Sequence, residues 1–197
     1  MSAHVEAFAD LTVRLGVNVQ PGQHVVITSD LEHAEVARAI VEHAYLAGAG
    51  VVEVNWTDGP VRRSAAVHAS LESLTTDRPW MLDRIAGWGE EGVALIRLNG
   101  NPYPHLMDGL DAAKVSATPA AEASAQRKAM FTGNTTWTVV SPPSAGWAQL
   151  LFGEPDLERL WEVVAIAMRL DEPDPVAACG SAARPLLPGR ARSTRSS

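Results

Sequence analysis

The sequence predicts a three-layer α/β domain: a small, mostly parallel sheet flanked by helices, plus a disordered C-terminal tail. Three observations lead there. Helical and strand patterns alternate through the first 178 residues, the layout of layered α/β domains. The stretches between strand patterns are long enough for the crossover helices that parallel pairing requires. Beyond residue 178 the periodicity and the acidic residues stop together.

The first helix spans residues 3–15, where Val5, Phe8, Ala9, Thr12 and Leu15 recur at helical spacing, and Gly16 is expected to end it by accepting positive φ. Asn18 to Gln23, with Pro21-Gly22, is turn chemistry. His24 to Thr28 is a short β-branched run and the first strand. Ser29-Asp30-Leu31-Glu32 has the form of a capping box. Behind it Val36, Ala37, Ile40, Val41 and Ala44 form one apolar stripe, giving a helix over 31–47. Gly48-Ala49-Gly50 closes that helix and leads into the second strand, Val51 to Trp56. Asp58 is expected to cap a helix over 60–72, and another follows over 79–90. Val93 to Leu98 is a continuous apolar run suited to a central parallel strand. Thr118-Pro119 reads as an N-cap with proline at the first helical position, opening a helix over 119–131. The fourth strand is Thr136 to Val140, closed by Pro142-Pro143. Glu154-Pro155 starts a last helix with Leu157, Leu160, Trp161, Val164 and Met168 on one face, which Asp171-Glu172-Pro173 ends.

With 23 acidic and 16 basic residues the chain carries a net charge of -7. All the acids lie at or before Asp174; residues 1–178 carry twelve basic side chains, for a net -11, and residues 179–197 carry four arginines and no acid, for +4. The acid excess excludes a broad nucleic-acid partner, which needs a basic face. There is no apolar run of membrane-spanning length, and the N-terminus lacks the pattern of a secretory signal. A single cysteine, Cys179, suits a reducing cytosol, so a cytoplasmic protein is expected.

Motifs carry little chemistry. The Gly48-Ala49-Gly50 triplet closes a helix and precedes a strand, whereas a phosphate-cradling loop follows a strand and opens a helix. This disfavours a nucleotide-binding domain. His33 and His43 lie ten residues apart on one helix and point in different directions; Glu42 and His43 are adjacent and diverge. His105 follows the third strand, and loops at the carboxyl ends of parallel strands are where α/β proteins bind ligands. Asp58 and Asn99 lie just past strands two and three, so a carboxylate and an amide could converge at one edge, although Asp58 also fits a helix cap. Trp56, Trp137, Trp147 and Trp161 are expected to pack core or interface. No nucleophile elbow or zinc spacing occurs, and Cys179 has no base beside it. The residues thus assign no catalytic or metal-binding position, and no substrate contacts.

Several stretches in order resemble the aminopeptidase T / aminopeptidase S family of metallo-aminopeptidases. They are Phe8-Ala9-Asp10-Leu11 through Gly16-Val17-Asn18-Val19-Gln20-Pro21-Gly22-Gln23, Glu35-Val36-Ala37-Arg38, Ala44 to Ala49, Val54-Asn55-Trp56-Thr57-Asp58, Trp137 to Val140 with Pro142, Gly146-Trp147-Ala148, and Leu160-Trp161 through Arg169 to Val176. The resemblance covers about residues 5–178. It implies an exopeptidase that removes N-terminal residues from peptides, uses two divalent metal ions such as zinc or cobalt, and forms homodimers. The family's metal ligands and catalytic glutamate belong to a C-terminal domain, so none is expected here and this chain alone should hold no metal. The reading is therefore a domain over 1–178, the non-catalytic N-terminal part of such an enzyme, with 179–197 an atypical tail of the kind a frameshift or early stop would leave. The alternative is a binding or assembly module that pairs with a separate catalytic chain.

Overall fold

The computed structural model describes residues 2–100, 102–131 and 134–182. Four strands, β1 (His24–Asp30), β2 (Val51–Thr57), β3 (Ala94–Leu98) and β4 (Thr136–Val140), form one sheet in the order β2-β1-β3-β4. Every pairing is parallel, so the expected sheet is present and wholly parallel. The chain winds outward to β2 after β1 and then returns to the far side for β3 and β4. The reversal of strand order falls between β1 and β3, where open α/β sheets make their ligand crevice.

Alternation along each strand divides the side chains between two faces. The first face presents Val25, Ile27, Val52, Val54, Ala94, Ile96, Leu98 and Val140 to the principal core. It is covered by α1 (Ala3–Leu11), which continues into a π-turn over Thr12–Gly16, and by α2 (Ala34–Leu46). These bring Phe8, Ala9, Ala37 and Ile40, all fully buried. The helices α9 (Leu157–Met168) and α10 (Pro175–Ala182) close the same layer through Ala165, Trp161 and Cys179. On the second face α5 (Pro79–Glu91) packs against α7 (Ala120–Phe131). The remaining elements, α3 (Gly59–His68), α4 (Leu71–Thr75), α6 (Ala112–Val115) and α8 (Ala145–Phe152), belong to the connections.

Several sequence expectations are corrected by long-range contacts. Ser29 does not cap the second helix: it lies inside β1, fully buried, and its hydroxyl donates to the Asp30 carbonyl. Pairing of Asp30 with Thr57 holds this stretch extended, and a 3-10 turn over Leu31–His33 intervenes before α2. Gly16 is not the left-handed residue; that role falls to Asn18 at φ 50. Glycine suits position 16 because a Cβ there would stand 3.2 Å from the Thr138 methyl. The helix expected over 60–72 breaks after His68, and Ser70 caps the short α4 through the Ser73 amide.

Thr118 does not cap α7; its hydroxyl turns to the Ser116 carbonyl. The acceptor for the α7 amides is the Asp77 carboxylate, 3.0 Å from Ala121 N and 3.3 Å from Glu122 N. A capping oxygen reaching from elsewhere satisfies the same orphan donors as a local one. The helix α8 has no polar side to reveal it and carries Gly146, yet Ser144 caps it at the Trp147 amide. Finally, α10 runs four residues past residue 178, where the sequence reading ends the ordered domain. Asp174 accepts from the Ala177 amide, and the Cys179 thiol reaches the Met168 carbonyl. Residues 183–197, the rest of the expected tail, lie outside the described residues.

Candidate functional site

A parallel sheet covered by helices on both sides reads as apolar on both faces. Here the first face obeys that rule and the second does not. Strand register aligns Asn55, Thr28, Arg97 and Val139 as one row across the second face, one step nearer the carboxyl ends than the row Glu53, Val26, Leu95 and Trp137. Arg97 is exposed although it belongs to an inner strand. Along the row nearer the carboxyl ends Arg97 and Val139 are exposed and Asn55 and Thr28 half-buried, so this part of the second face is both more open and more polar than the first face. At the β2 edge Arg84 of α5 reaches both rows, bonding to Glu53 and, at 3.1 Å, to the Asn55 side chain. Trp88, Gln126 and Met130 look over a cavity of about 110 Å³ floored by Val26, Leu95 and Trp137, with Arg97 and Thr28 on its wall.

The carboxyl ends of β1 and β3 meet at His33 and Gly100. His33 is 2% exposed, and its Nε2 has no hydrogen-bond partner among the described residues. Burial pushes its pKa below the ordinary value, against the opposing pull of Asp30 and Glu32, so the imidazole is held neutral. A Cβ at position 100 would stand 2.5 Å from that nitrogen, so only glycine lets the loop after β3 close on the turn after β1. Gly100→Ala should destabilise the fold by about 2 kcal/mol, the cost of overpacking a fixed contact. Urea unfolding measures it, and a loss under 0.5 kcal/mol would mean the loop is not pinned there.

Beside this junction a cleft of about 90 Å³ is lined by Asp30, Arg62, Gly100, Tyr103 and Met107. Asp30 accepts from the Thr57 hydroxyl. Glu32, first as a hydrogen-bond acceptor and then through its charge, raises the Tyr103 phenol pKa, and the Asp58 charge adds to it.

The structure separates most of the residues singled out in the sequence. Asp58 caps α3, accepting from the Val61 amide at 2.8 Å. Asn99 lines a different recess with Gly100, Ser141, Trp147 and Leu150, so the two groups do not converge on a common cavity. His105 is exposed and pairs with Asp108 at 3.1 Å. His43 ties α2 to α1 through Glu6 at 3.0 Å and Asp10 at 3.5 Å. Gly48, at φ +95, ends α2, and the Gly22 amide donates to its carbonyl; these glycines sit at the amino ends of β1 and β2, away from the crevice. Trp161 packs edge-on against Phe8 at 5.8 Å, and Trp147 lies against Ala148, Leu160 and Val164. Trp56 and Trp137 stay at the surface instead of entering the core, being 42% and 41% exposed. Sequence reasoning missed Arg97, Thr28 and Asn55. The signal was an arginine interrupting Val93 to Leu98, an otherwise apolar strand.

Among the described residues, no group of three or more His, Cys, Asp or Glu is placed to hold a metal ion. No described helix is long and apolar enough to cross a membrane.

Residues 1–186 match the family described as thermophilic metalloprotease (M29). The chain is 33% identical over 182 residues to aminopeptidase T of Thermus thermophilus, covering 89% of this chain and 44% of that protein. It is 33% identical over 184 residues to aminopeptidase AmpS of Bacillus subtilis, covering 90% and 45%. The solved structure of wild-type AmpT from Thermus thermophilus superposes with a TM-score of 0.77 at 29% identity, over 90% of this chain and 45% of that one. The chain thus spans less than half the length of the relatives it matches.

Proposed function

Since the chain belongs to the thermophilic metalloprotease (M29) family, we propose that it is the α/β domain of a metal-dependent aminopeptidase, a hydrolase that removes N-terminal residues from peptides. The observation that carries this reading is the match to proteins named aminopeptidases across nearly the whole described domain, in sequence and in fold. In this reading the domain is non-catalytic and shapes the space in which a peptide lies. The whole protein would use two divalent ions, zinc or cobalt among them, work as a cytoplasmic homodimer, and join this domain, over residues 1–178, to the chemistry carried elsewhere.

The described residues do not fit such a metal pair. Zinc sites need three or four converging ligands. Acids and histidines here instead bond to one another, as His43 does with Glu6 and Asp10 and His105 with Asp108, and among the described residues no group of three or more is placed to hold a metal ion. No hydrolytic step is therefore assigned to any of them. What the domain offers is the open carboxyl half of the second face, the place where α/β domains meet ligands. The exposed pair of Phe131, at the end of α7, and Trp137 of β4, edge-on at 6.0 Å, supports an apolar contact with another domain or protomer.

The test is hydrolysis of leucine p-nitroanilide by the purified, dialysed chain, with and without added cobalt or zinc. No turnover is expected from protein that shows a folded far-UV spectrum. Metal-dependent turnover that follows the protein through purification would overturn the non-catalytic reading.

A further inference from the structure

Arg97 is the least expected residue of the sheet. It stands on an inner strand, second from the carboxyl end of β3, and no carboxylate pairs with it among the described residues. The other arginines near the second face are engaged: Arg84 with Glu53, and Arg78 with Glu122. A guanidinium is always charged and offers a planar fork of donors that matches a carboxylate. Around it the cavity wall is apolar and aromatic, from Trp88, Met130 and Trp137, while Thr28 and Gln126 contribute a hydroxyl and an amide. The site has one unspent positive charge and a pocket that suits an aliphatic group. Its one side-chain amide can both donate to and accept from a peptide bond.

We propose that this cleft binds the carboxyl end of a peptide whose last side chain is apolar. The terminal carboxylate lies on Arg97, the last side chain enters between Trp88, Met130 and Trp137, and Gln126 meets the preceding peptide group. A protonated amine has no place there, since no acidic side chain lines the cavity. Val139, exposed on edge strand β4, forms the rim past which the rest of the peptide leaves. The assignment rests on the cleft's own chemistry and is independent of whether the protein hydrolyses peptides.

The probe is N-acetyl-leucine, a mimic of such an end, with N-acetyl-leucinamide as its neutral counterpart. Both are titrated into the full chain by calorimetry and followed by tryptophan fluorescence, which Trp88 and Trp137 report from the cleft wall. The acid is expected to bind saturably, about tenfold or more tightly than the amide, as loss of a charge-assisted contact implies. Added salt should weaken the acid's binding and leave the amide's unchanged. Arg97→Gln should abolish the preference for the acid, and Arg97→Lys should keep part of it. Arg97 is exposed, so neither variant should change the far-UV spectrum. Failure of the acid to saturate, equal affinity for acid and amide, or an undiminished preference in Arg97→Gln would each overturn the proposal. The acid–amide comparison on the unaltered chain decides the matter even if a variant misfolds.

Discussion

Phe8→Ala should lower the unfolding free energy by about 4 kcal/mol, within the range for deleting a fully buried aromatic. The ring is 0% exposed and stands at the centre of the first-face core, edge-on to Trp161 of α9. It joins three layers of contact: its own helix, the sheet, and the C-terminal helix pair. Truncation would leave a cavity that collapses poorly, because Val13, Ile27 and Ile40 of the same core cluster are themselves fully buried. Domains of this size commonly hold about 5–15 kcal/mol, so the variant should be folded only marginally. Phe8→Leu keeps most of the volume and should cost roughly 1–1.5 kcal/mol. Urea unfolding followed by circular dichroism measures both. A loss below 1.5 kcal/mol for the alanine variant would show that α1 is not integral to the core.

Arg78→Ala should cost about 3 kcal/mol, at the lower end for breaking a buried ion pair, because Arg78 itself is half exposed. Its partner Glu122 is 4% exposed. The carboxylate accepts from Arg78 three times, from the backbone amide at 3.0 Å and from the guanidinium at 2.9 and 2.7 Å. Removing the guanidinium leaves a buried carboxylate with a single donor, at the helix start that Asp77 also caps. Glu122→Gln keeps the shape and one acceptor and should cost less. No measurable cost for Glu122→Gln would mean that shape, not charge, holds α5 to α7.

The same pair fixes a pH response. The guanidinium hydrogen bonds hold the Glu122 carboxyl below the ordinary carboxylate range. A depressed acid stabilises the fold above its unfolded pKa, about 4.3, and that contribution is lost as pH falls through the lower folded value. His33 acts at higher pH. Its pKa is lowered by burial, so below about 6.5 the unfolded chain binds the proton more readily and stability begins to fall. Unfolding free energy measured from pH 7.5 to 3 should decline in two stages, and Arg78→Ala should flatten the lower one. A profile flat between pH 7 and 5 would contradict the neutral buried imidazole.

The strands were legible because Val25 to Ile27 and Val93 to Leu98 are short, β-branched or apolar, and bounded by turn chemistry. The helices α2 and α9 were legible because each carries one clean apolar stripe. What escaped reading depends on partners distant in sequence. The cap of α7 comes from Asp77, more than forty residues upstream, and Gly16 sits close against a methyl on β4. The helix α8 has Gln149 as its one polar side chain, so no period marks it. The open polar half of the second face is hidden for another reason. Thr28, Asn55 and Arg97 sit near strand ends, where a polar residue reads as the strand stopping. Only the register places them side by side.

Amide chemical-shift mapping of the ¹⁵N-labelled chain during titration with an apolar tetrapeptide locates the peptide-facing surface residue by residue. Shifts are expected to gather on Thr28, Asn55, Arg97 and Val139 and on the Gly100 loop, with Phe8, Ile27 and Ile40 unmoved. Shifts centred on the first-face helices, or no saturable response at all, would contradict the claim that the uncovered carboxyl half of the sheet is the surface this domain presents to peptides.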